Sequence, residues 1–575
     1  MTQNKNWIVP PQITPEADSA LSAFPTLLRQ ILFNRGFATD EDARAYLNAK
    51  PNFTTDPFQM KGMREAVDRI QFAIKNKEPI AIYGDYDVDG VTATALLVQT
   101  LQALDANVRG YIPNRFEEGY GLNNEALNTL KEEGTKLVIT VDCGIRSPNE
   151  AQHAKDINLD LIISDHHHPA ENHDTGLSDL PQALAVINPK QSGDLYPDKD
   201  LAGVGIAYKI AEALFATPVN QPTISLDYLL DLVALGTVAD LAPLVGENRI
   251  LVRKGLRQMK QTTRQGLFSL AAVSEIVLAK VNAGHIGFSL GPRLNAAGRL
   301  KEALAAFELL TTKDVFRAGE LAQVLDMQNR ERQKITRDMQ TRAEEIAIAD
   351  GEENFLLFAA DEGFNSGVVG LAASRLTEKY YLPSVVAAKG AEETRGSCRS
   401  IPEFHITDAL DQCKDLLVRH GGHAAAAGFT VKNENLPALI NQLKFIAKEQ
   451  LSGQDLRPTL TADAEVSLTQ IRPDLIKILS YLEPTGYGNR DASFVARNAK
   501  VKSSRTVGSD GKHIKLILED DNGYTHDAIG FKLGDWAKNM PPRVDVLFTY
   551  EVNEYNGRTS YQLNLKDLKP TGTVD

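Results

Sequence analysis

Cysteine is scarce in this chain. There are three in 575 residues, Cys143, Cys398 and Cys413, and no CxxC. That excludes a disulfide framework and points to a reducing compartment. Long apolar runs are missing too. The nearest candidate, Leu226 to Leu244, is broken by Asp227, Asp231 and Asp240, so nothing reaches the ~18–20 residues that span a bilayer. Met1 to Gln12 lacks the basic-then-apolar layout of a signal peptide. A soluble, cytoplasmic protein with no membrane partner is the expectation. There is no excess of positive charge: Lys+Arg 62 against Asp+Glu 75 gives a net charge of -13. A uniformly basic binder is excluded, but a local basic groove is not. Internal repeats and low-complexity tracts are absent. What remains is 43% hydrophobic and 24% charged, an ordinary globular composition, in a chain long enough for about three or four domains.

The pattern of the first half is α/β. Ile80–Tyr83, Val108–Ile112, Leu137–Val141 and Leu161–Ser164 read as short buried strands. Helix-length segments, Thr92 to Leu104, Asn124 to Glu133 and Pro148 to Ile157, separate them. This predicts a parallel sheet with crossover helices, whose ligands gather at the carboxyl ends of the strands. Asp314 to Ala349, free of Pro and striped by Leu321, Leu325, Ile335, Met339 and Ile346, predicts one long helix. A second, smaller α/β region follows: Asn354–Ala359, the helix Val368 to Lys379, and Ser384–Ala388. Ser452, Gly453 and Pro458 mark a linker. From about Leu460 the runs alternate, with turns at Asp510-Gly511 and Asn556-Gly557, which predicts a small antiparallel barrel.

Chemistry concentrates where strands end. Gly84-Asp85-Tyr86-Asp87-Val88-Asp89-Gly90 places three carboxylates at alternate positions between a strand and a helix. Such a cluster is costly unless cations neutralise it. An EF-hand loop is excluded, since its twelfth position is Leu96 and a strand precedes it; a solvated acidic turn is the alternative. Asp142 closes the next strand, and Ser164-Asp165-His166-His167-His168 closes another. Adjacent residues in extended chain point to opposite sides. One imidazole therefore serves a metal while its neighbour serves a phosphate or a supporting carboxylate. Asp240, after Leu235-Gly-Thr-Val-Ala, is read as a fourth strand-end site. Many carboxylates, few imidazoles and no thiolates favour Mn²⁺ or Mg²⁺ over structural Zn²⁺. Two such ions, roughly 3.5–4 Å apart, suit phosphoryl chemistry.

Asp85-x-Asp87-x-Asp89-Gly90, Asp142, Asp165-His166-His167 and Asp240 resemble the motifs of the DHH phosphoesterase superfamily. Gly291-Pro-Arg293-Leu-Asn295-Ala-Ala-Gly298-Arg299, Arg395-Gly-Ser-Cys-Arg399-Ser400 and Gly421-Gly-His423 through Gly428 narrow the resemblance to the RecJ family of single-strand-specific exonucleases. The departures are Val88 for a commoner Ala, Cys398 for a Gly and Arg490 for a Pro; none removes a ligand. The resemblance implies a parallel-sheet DHH domain at 49–310 after an N-terminal extension, 1–48. It further implies a connecting helix at 311–349, a DHHA1 substrate-binding domain at 350–452 and an OB-fold at 458–575. It implies a metal-dependent 5′-to-3′ exonuclease that degrades single-stranded DNA to mononucleotides in recombination and mismatch repair. Single-strand binding protein would be a partner and the enzyme a monomer.

By the same resemblance Asp85, Asp87, Asp89, Asp142, His166 and Asp240 hold two ions, with Asp142 bridging. No member of the first cluster is assigned to one ion. His167 contacts the scissile phosphate and Asp165 orients the histidines. Arg115, Arg293, Asn295, Arg299, Ser374, Arg375, Arg399 and His423 are the expected DNA-binding residues, the arginines by bidentate phosphate contacts. In the barrel, Tyr550, Tyr555 and Tyr561 lie among Lys512, Lys515, Arg543 and Arg558, a mixture that suits base stacking but also plain core. Competing readings are a phosphodiesterase for short oligonucleotides or cyclic dinucleotides, a pyrophosphatase, and a scaffold without activity. The added helix and barrel favour a polymer substrate, and the intact acidic and histidine motifs argue against a scaffold.

Overall fold

The computed structural model describes residues 5–113, 121–172, 175–300, 303–349, 355–508, 510–555 and 557–573, without the side chains of 299, 300 and 555. The chain divides into two compact units. One comprises Met1–Trp7 with Met327–Leu460, the other Ile8–Asp326 with Thr461–Asp575.

The larger unit is built on a parallel sheet of β1 (Ile80–Gly84), β2 (Val108–Tyr111), β3 (Leu137–Val141), β4 (Asp160–Ser164) and β5 (Ala185–Ile187), ordered β2-β1-β3-β4-β5. β1 and β3 are buried at every position, which is why their sequences run apolar without alternation. Helices cover both faces. On one lie α1 (Val88–Ala103), α4 (Gly203–Ala216) and α5 (Leu226–Ala239). On the other lie α2 (Asn124–Glu132) and α3 (Pro148–Asp156). Helix α6 (Gly246–Met259) packs along α5.

Asp240 corrects the expectation of a fourth strand end. It is the C-cap of α5, not the end of a strand. The apolar run before it belongs to a helix buried on nearly all sides, and in such a run periodicity does not separate helix from strand. No helix among the described residues is long and apolar enough to cross a membrane.

Downstream, α7 (Gly291–Leu300) precedes the long helix α8 (Val315–Ile348), as the Pro-free stripe predicts. The smaller unit contains β6 (Leu357–Asp361), α9 (Val369–Tyr380), β7 (Ser384–Lys389), β8 (Glu393–Arg399), β9 (Leu417–His423), β10 (Ala426–Lys432) and α10 (Leu436–Leu451). Its sheet order is β9-β10-β8-β7-β6, parallel only between β6 and β7.

The larger unit also holds a closed barrel of β11 (Ser493–Val507), β12 (His513–Glu519), β13 (Thr525–Gly530), β14 (Arg543–Tyr555) and β15 (Arg558–Pro570). The ring runs β11-β12-β13-β15-β14 and back to β11. It is not wholly antiparallel: β13 and β15 run parallel, because the strand between them in sequence, β14, closes the barrel elsewhere. The barrel core extends to the N-terminal helices Pro15–Ala20, Thr26–Asn34 and Asp40–Asn48. Leu28, Ile31, Leu32 and Leu47 share one cluster with Phe494, Leu516 and Phe548. Arg35 seals that junction through Asp463, 3.0 Å away and fully buried. Tyr550 is buried in this core, with Tyr561 stacked on its outer side and 42% exposed. Of the barrel tyrosines, Tyr550 is therefore core rather than a stacking platform, and the side chain of Tyr555 lies outside the described residues.

Candidate metal centre

The loop after β1 is shaped by its own carboxylates. Asp87 is the N-cap of α1 and accepts the Asp89 and Gly90 amides at 2.9 and 3.1 Å through one oxygen, leaving the other for a ligand. Gly90 is required: a Cβ there would lie 2.5 Å from the Asp85 carbonyl oxygen. Asp89 is fully buried, and its two oxygens accept the Gly203 and Val204 amides at 2.6 and 2.8 Å. A carboxylate thus sits on the amino end of α4, where backbone N–H groups and the helix dipole favour negative charge. Gly203 and Gly236 permit that approach, since a Cβ at either would fall 2.9 Å from an Asp89 oxygen.

Asp142 follows β3 in the left-handed region, φ 61°. That conformation is unusual outside glycine and clusters at functional sites. Its Oδ1 is buried without a hydrogen bond, and so is His166 Nε2, although the two atoms are 3.1 Å apart. His166 Nε2 also lies 3.8 Å from Asp240 and 3.9 Å from Asp89. Buried polar atoms converging without partners are costly; a cation between them removes the cost.

Three sets of donor atoms each lie within 4.8 Å of one another: Asp85, Asp87 and Asp142; Asp89, His166 and Asp240; Asp142, His166 and His167. Asp142 belongs to two of them. The donor chemistry, carboxylate oxygens with no, one or two imidazoles in the three sets, fits hard divalent cations.

The electrostatics agree. Burial, then the charge of Asp87, raises the Asp89 carboxyl to about 7. Burial, then the charges of Asp89 and Asp87, raises Asp240 to about 9 and lifts Asp142 well above the carboxylate range. Burial and the neighbouring His167 depress His166 to about 3, leaving a neutral imidazole, the form that ligates. Burial would lower His167, but the hydrogen bond and charge of Asp165 outweigh it and bring it up to about 9. Burial would raise Asp165, yet its bond to His167 holds it below the usual range.

Asp165 has a positioning role. One oxygen accepts from the His167 ring at 2.8 Å and from its amide at 3.0 Å; the other accepts the Ile145 amide at 3.0 Å. Two residues not foreseen from the sequence hold the same turn. The Asn188 amide group donates to the His167 carbonyl at 2.8 Å, and the Lys190 ammonium to the His166 carbonyl at 2.7 Å. The signal for them was a fifth strand end, Ala185-Val-Ile followed by Asn188-Pro.

The expected DNA-binding residues divide. Arg115 lies outside the described residues, as does the side chain of Arg299. Arg293 is tied to Asp326 at 2.9 Å and to the Ser289 carbonyl at 2.8 Å. Asn295 accepts the Val88 amide at 3.1 Å, so it braces the start of α1 beside the acidic loop. Gly298 rests on that loop too: a Cβ would lie 2.7 Å from the Tyr86 carbonyl oxygen. Asn295→Ala is expected to weaken Mn²⁺ affinity about 10–100-fold, the usual cost of removing support for a metal site. Calorimetric titration against the unaltered protein checks this, and equal affinities would refute the bracing role.

In the smaller unit Arg399 donates to Ser397 Oγ at 3.1 Å and to the Cys398 carbonyl at 2.7 Å, and it has no ion pair among the described residues. Burial pulls this guanidinium below its ordinary value. A Cβ on Gly370 would lie 3.0 Å from its Nη2, and Ser374 Oγ donates to the Gly370 carbonyl. Arg399 and Ser374 therefore sit together. Arg375 is exposed and 3.9 Å from Glu378, and His423 is exposed at the end of β9.

These features have close counterparts in known proteins. The DHH family N-terminal domain matches residues 79–237, the DHHA1 domain 352–449 and the RecJ OB domain 462–567. The single-stranded-DNA-specific exonuclease RecJ of Bacillus subtilis is 41% identical over 545 residues, 94% of this chain and 67% of that one. The Dickeya dadantii RecJ is 32% identical over 97% of this chain and 98% of its own.

The chain belongs to the RecJ family.

A crystal structure of RecJ from Thermus thermophilus in complex with Mn²⁺ superposes with a TM-score of 0.84 at 29% identity, covering 99% of this chain and 80% of that one. The Mg²⁺ complex of the same RecJ gives 0.77 at 28% identity, covering 99% and 79%. The DHH, DHHA1 and OB architecture expected from the motifs is thus the RecJ architecture.

Proposed function

We propose that this protein is a Mn²⁺- or Mg²⁺-dependent exonuclease that removes mononucleotides from the 5′ end of single-stranded DNA. The family membership makes it a nuclease specific for single strands. The observation that carries the finer reading is the shared position of Asp142 in two overlapping donor sets. Asp85, Asp87 and Asp142 would hold one ion; His166, Asp89 and Asp240 would hold the other, with Asp142 reaching it beside His166. Bound there, the pair supplies an activated water and stabilises the leaving oxygen. The protein's part is positioning. Asp165 fixes the His167 ring, whose side chain is 52% exposed, toward the scissile phosphate. Arg399 and Ser374 take a backbone phosphate on the smaller unit. A terminal phosphate carries more charge than an internal diester, which gives arginine forks a means to select a 5′ end. The reading includes a cytoplasmic monomer serving recombination and mismatch repair beside single-strand binding protein.

The test is a Mn²⁺-dependent digestion of single- and double-stranded oligonucleotides labelled at either end. Release of labelled mononucleotide first from the 5′-labelled single strand is expected. First release from the 3′ label, or equal attack on duplex, would sink the reading.

A further inference from the structure

Helix α5 ends at Asp240, and the next residue, Leu241, stands in the left-handed region at φ 60° with its side chain 66% exposed. That backbone is disfavoured for a residue with a Cβ, and here it turns an apolar residue into solvent next to Asp240. Leu241 marks one end of a cleft of about 840 Å³ within the larger unit, between α5, α6 and the loop that enters the barrel. The floor is apolar, formed by Val238, Leu244 and Leu256. Two aromatics stand over it: Phe288, 89% exposed, and Tyr487, 64% exposed. Isolated exposed apolar residues are common, but these two share one cleft.

Tyr487 sits in a tight loop whose carbonyl accepts the Leu244 amide at 2.7 Å. Added Cβ atoms at Gly486 and Gly488 would fall 2.8 and 2.9 Å from Leu244 and Pro243. Phe288 sits in a π-helical turn, Ile286–Leu290, a local geometry frequent at functional sites. The same helical segment continues into α7, whose Asn295 braces the acidic loop. The Phe288 wall thus continues to the acidic loop, and Leu241 on the cleft lining directly follows Asp240.

The cleft is also basic. Arg253 and Arg257 line it from α6, and Lys260 from the C-cap of that helix. Arg253 donates to the Leu47 carbonyl, whereas the side chains of Arg257 and Lys260 have no hydrogen bond or ion pair among the described residues. Glu483 and Asp491 are the acidic groups of the lining. Burial, then proximity to Arg257, depresses the Arg253 guanidinium, and Glu483 offsets this in part; a further anion would act in the same direction. Aromatic faces beside unpaired cations in a groove form the surface that single strands use, bases stacking and phosphates tracking the charge.

We infer that this cleft carries the uncleaved single strand to the metal centre, with Tyr487 and Phe288 stacking successive bases and Arg257 and Lys260 taking the phosphates between them. The inference rests on the exonuclease reading above and adds the strand's path.

The test uses the full-length protein and a single-stranded 20-mer carrying 2-aminopurine near its 5′ end. Affinity is measured in chelator and cleavage in Mn²⁺. Tyr487→Ala and Phe288→Ala are each expected to raise Kd about tenfold and to abolish part of the 2-aminopurine quenching. Tyr487→Phe should restore both, since a ring and not the hydroxyl is needed. KM should rise more than kcat falls, and the loss on a trinucleotide should be smaller than on the 20-mer. Arg257→Ala with Lys260→Ala should lower the slope of log affinity against log salt by roughly 1.4. Unchanged affinity, quenching and salt slope in folded variants would overturn the inference and leave the cleft to a protein partner. If the unaltered protein binds the 20-mer through these residues but cleaves nothing in Mn²⁺, the exonuclease reading fails while the strand path stands.

Discussion

Asp142→Ala is expected to abolish cleavage and leave the fold intact. Its oxygen is buried, lacks a hydrogen bond and belongs to two donor sets, so its loss disrupts both ion sites. Loss of a residue that only supports a ligand costs 10–100-fold; loss of the shared ligand should exceed about 100-fold in turnover. Stability should move the other way. Burial and the neighbouring Asp89 and Asp87 penalise the ionised Asp142, so without metal its removal relieves repulsion at neutral pH. In chelator the unfolding midpoint of the variant should equal or exceed that of the unaltered protein, and the rise on adding Mn²⁺ should shrink. Turnover within tenfold of the unaltered protein, or a lower midpoint in chelator, would overturn the assignment.

The second large effect is expected at His167. Its ring is held by Asp165 at 2.8 Å, yet half of the side chain faces solvent at the edge of the donor sets. A group rigid on one side and open on the other is placed for a substrate oxygen. His167→Ala should reduce single-turnover cleavage by about 10²–10³, with a much smaller change in DNA affinity. Asp165→Asn, which keeps the shape but weakens the hold on the ring, should give an intermediate rate. Should His167→Ala lose affinity or fold while its single-turnover rate persists, the residue is structural.

Much of this centre was legible because three of its four segments follow strands. A buried β-branched run ending in Asp is readable without any knowledge of partners, and Asp85, Asp142 and Asp165 all obey it. Asp240 broke the rule because its helix is buried on nearly all sides and reads like a strand. Asn295 and Gly298 were legible as a motif but not as to role. Their loop looks open to a phosphate backbone in sequence, while in the structure they lie against the Asp85–Asp89 loop. Asn188 and Lys190 act through carbonyl groups, and a side chain that holds backbone leaves little imprint on residue type. The packing of the N-terminal helices on the barrel was illegible, because no local pattern names a partner more than four hundred residues away.

That distance has a consequence during synthesis. The side chain of Asn34 donates to the carbonyl of Asp463, 429 residues later. At about 5–20 residues per second, the ribosome needs roughly 20–90 s to make the intervening chain. Through that interval Leu28, Ile31 and Leu32 lack the barrel side chains Phe494, Leu516 and Phe548 of their cluster. A chain that terminates early never covers them. A chain interrupted before the barrel displays this apolar face to chaperones and proteases.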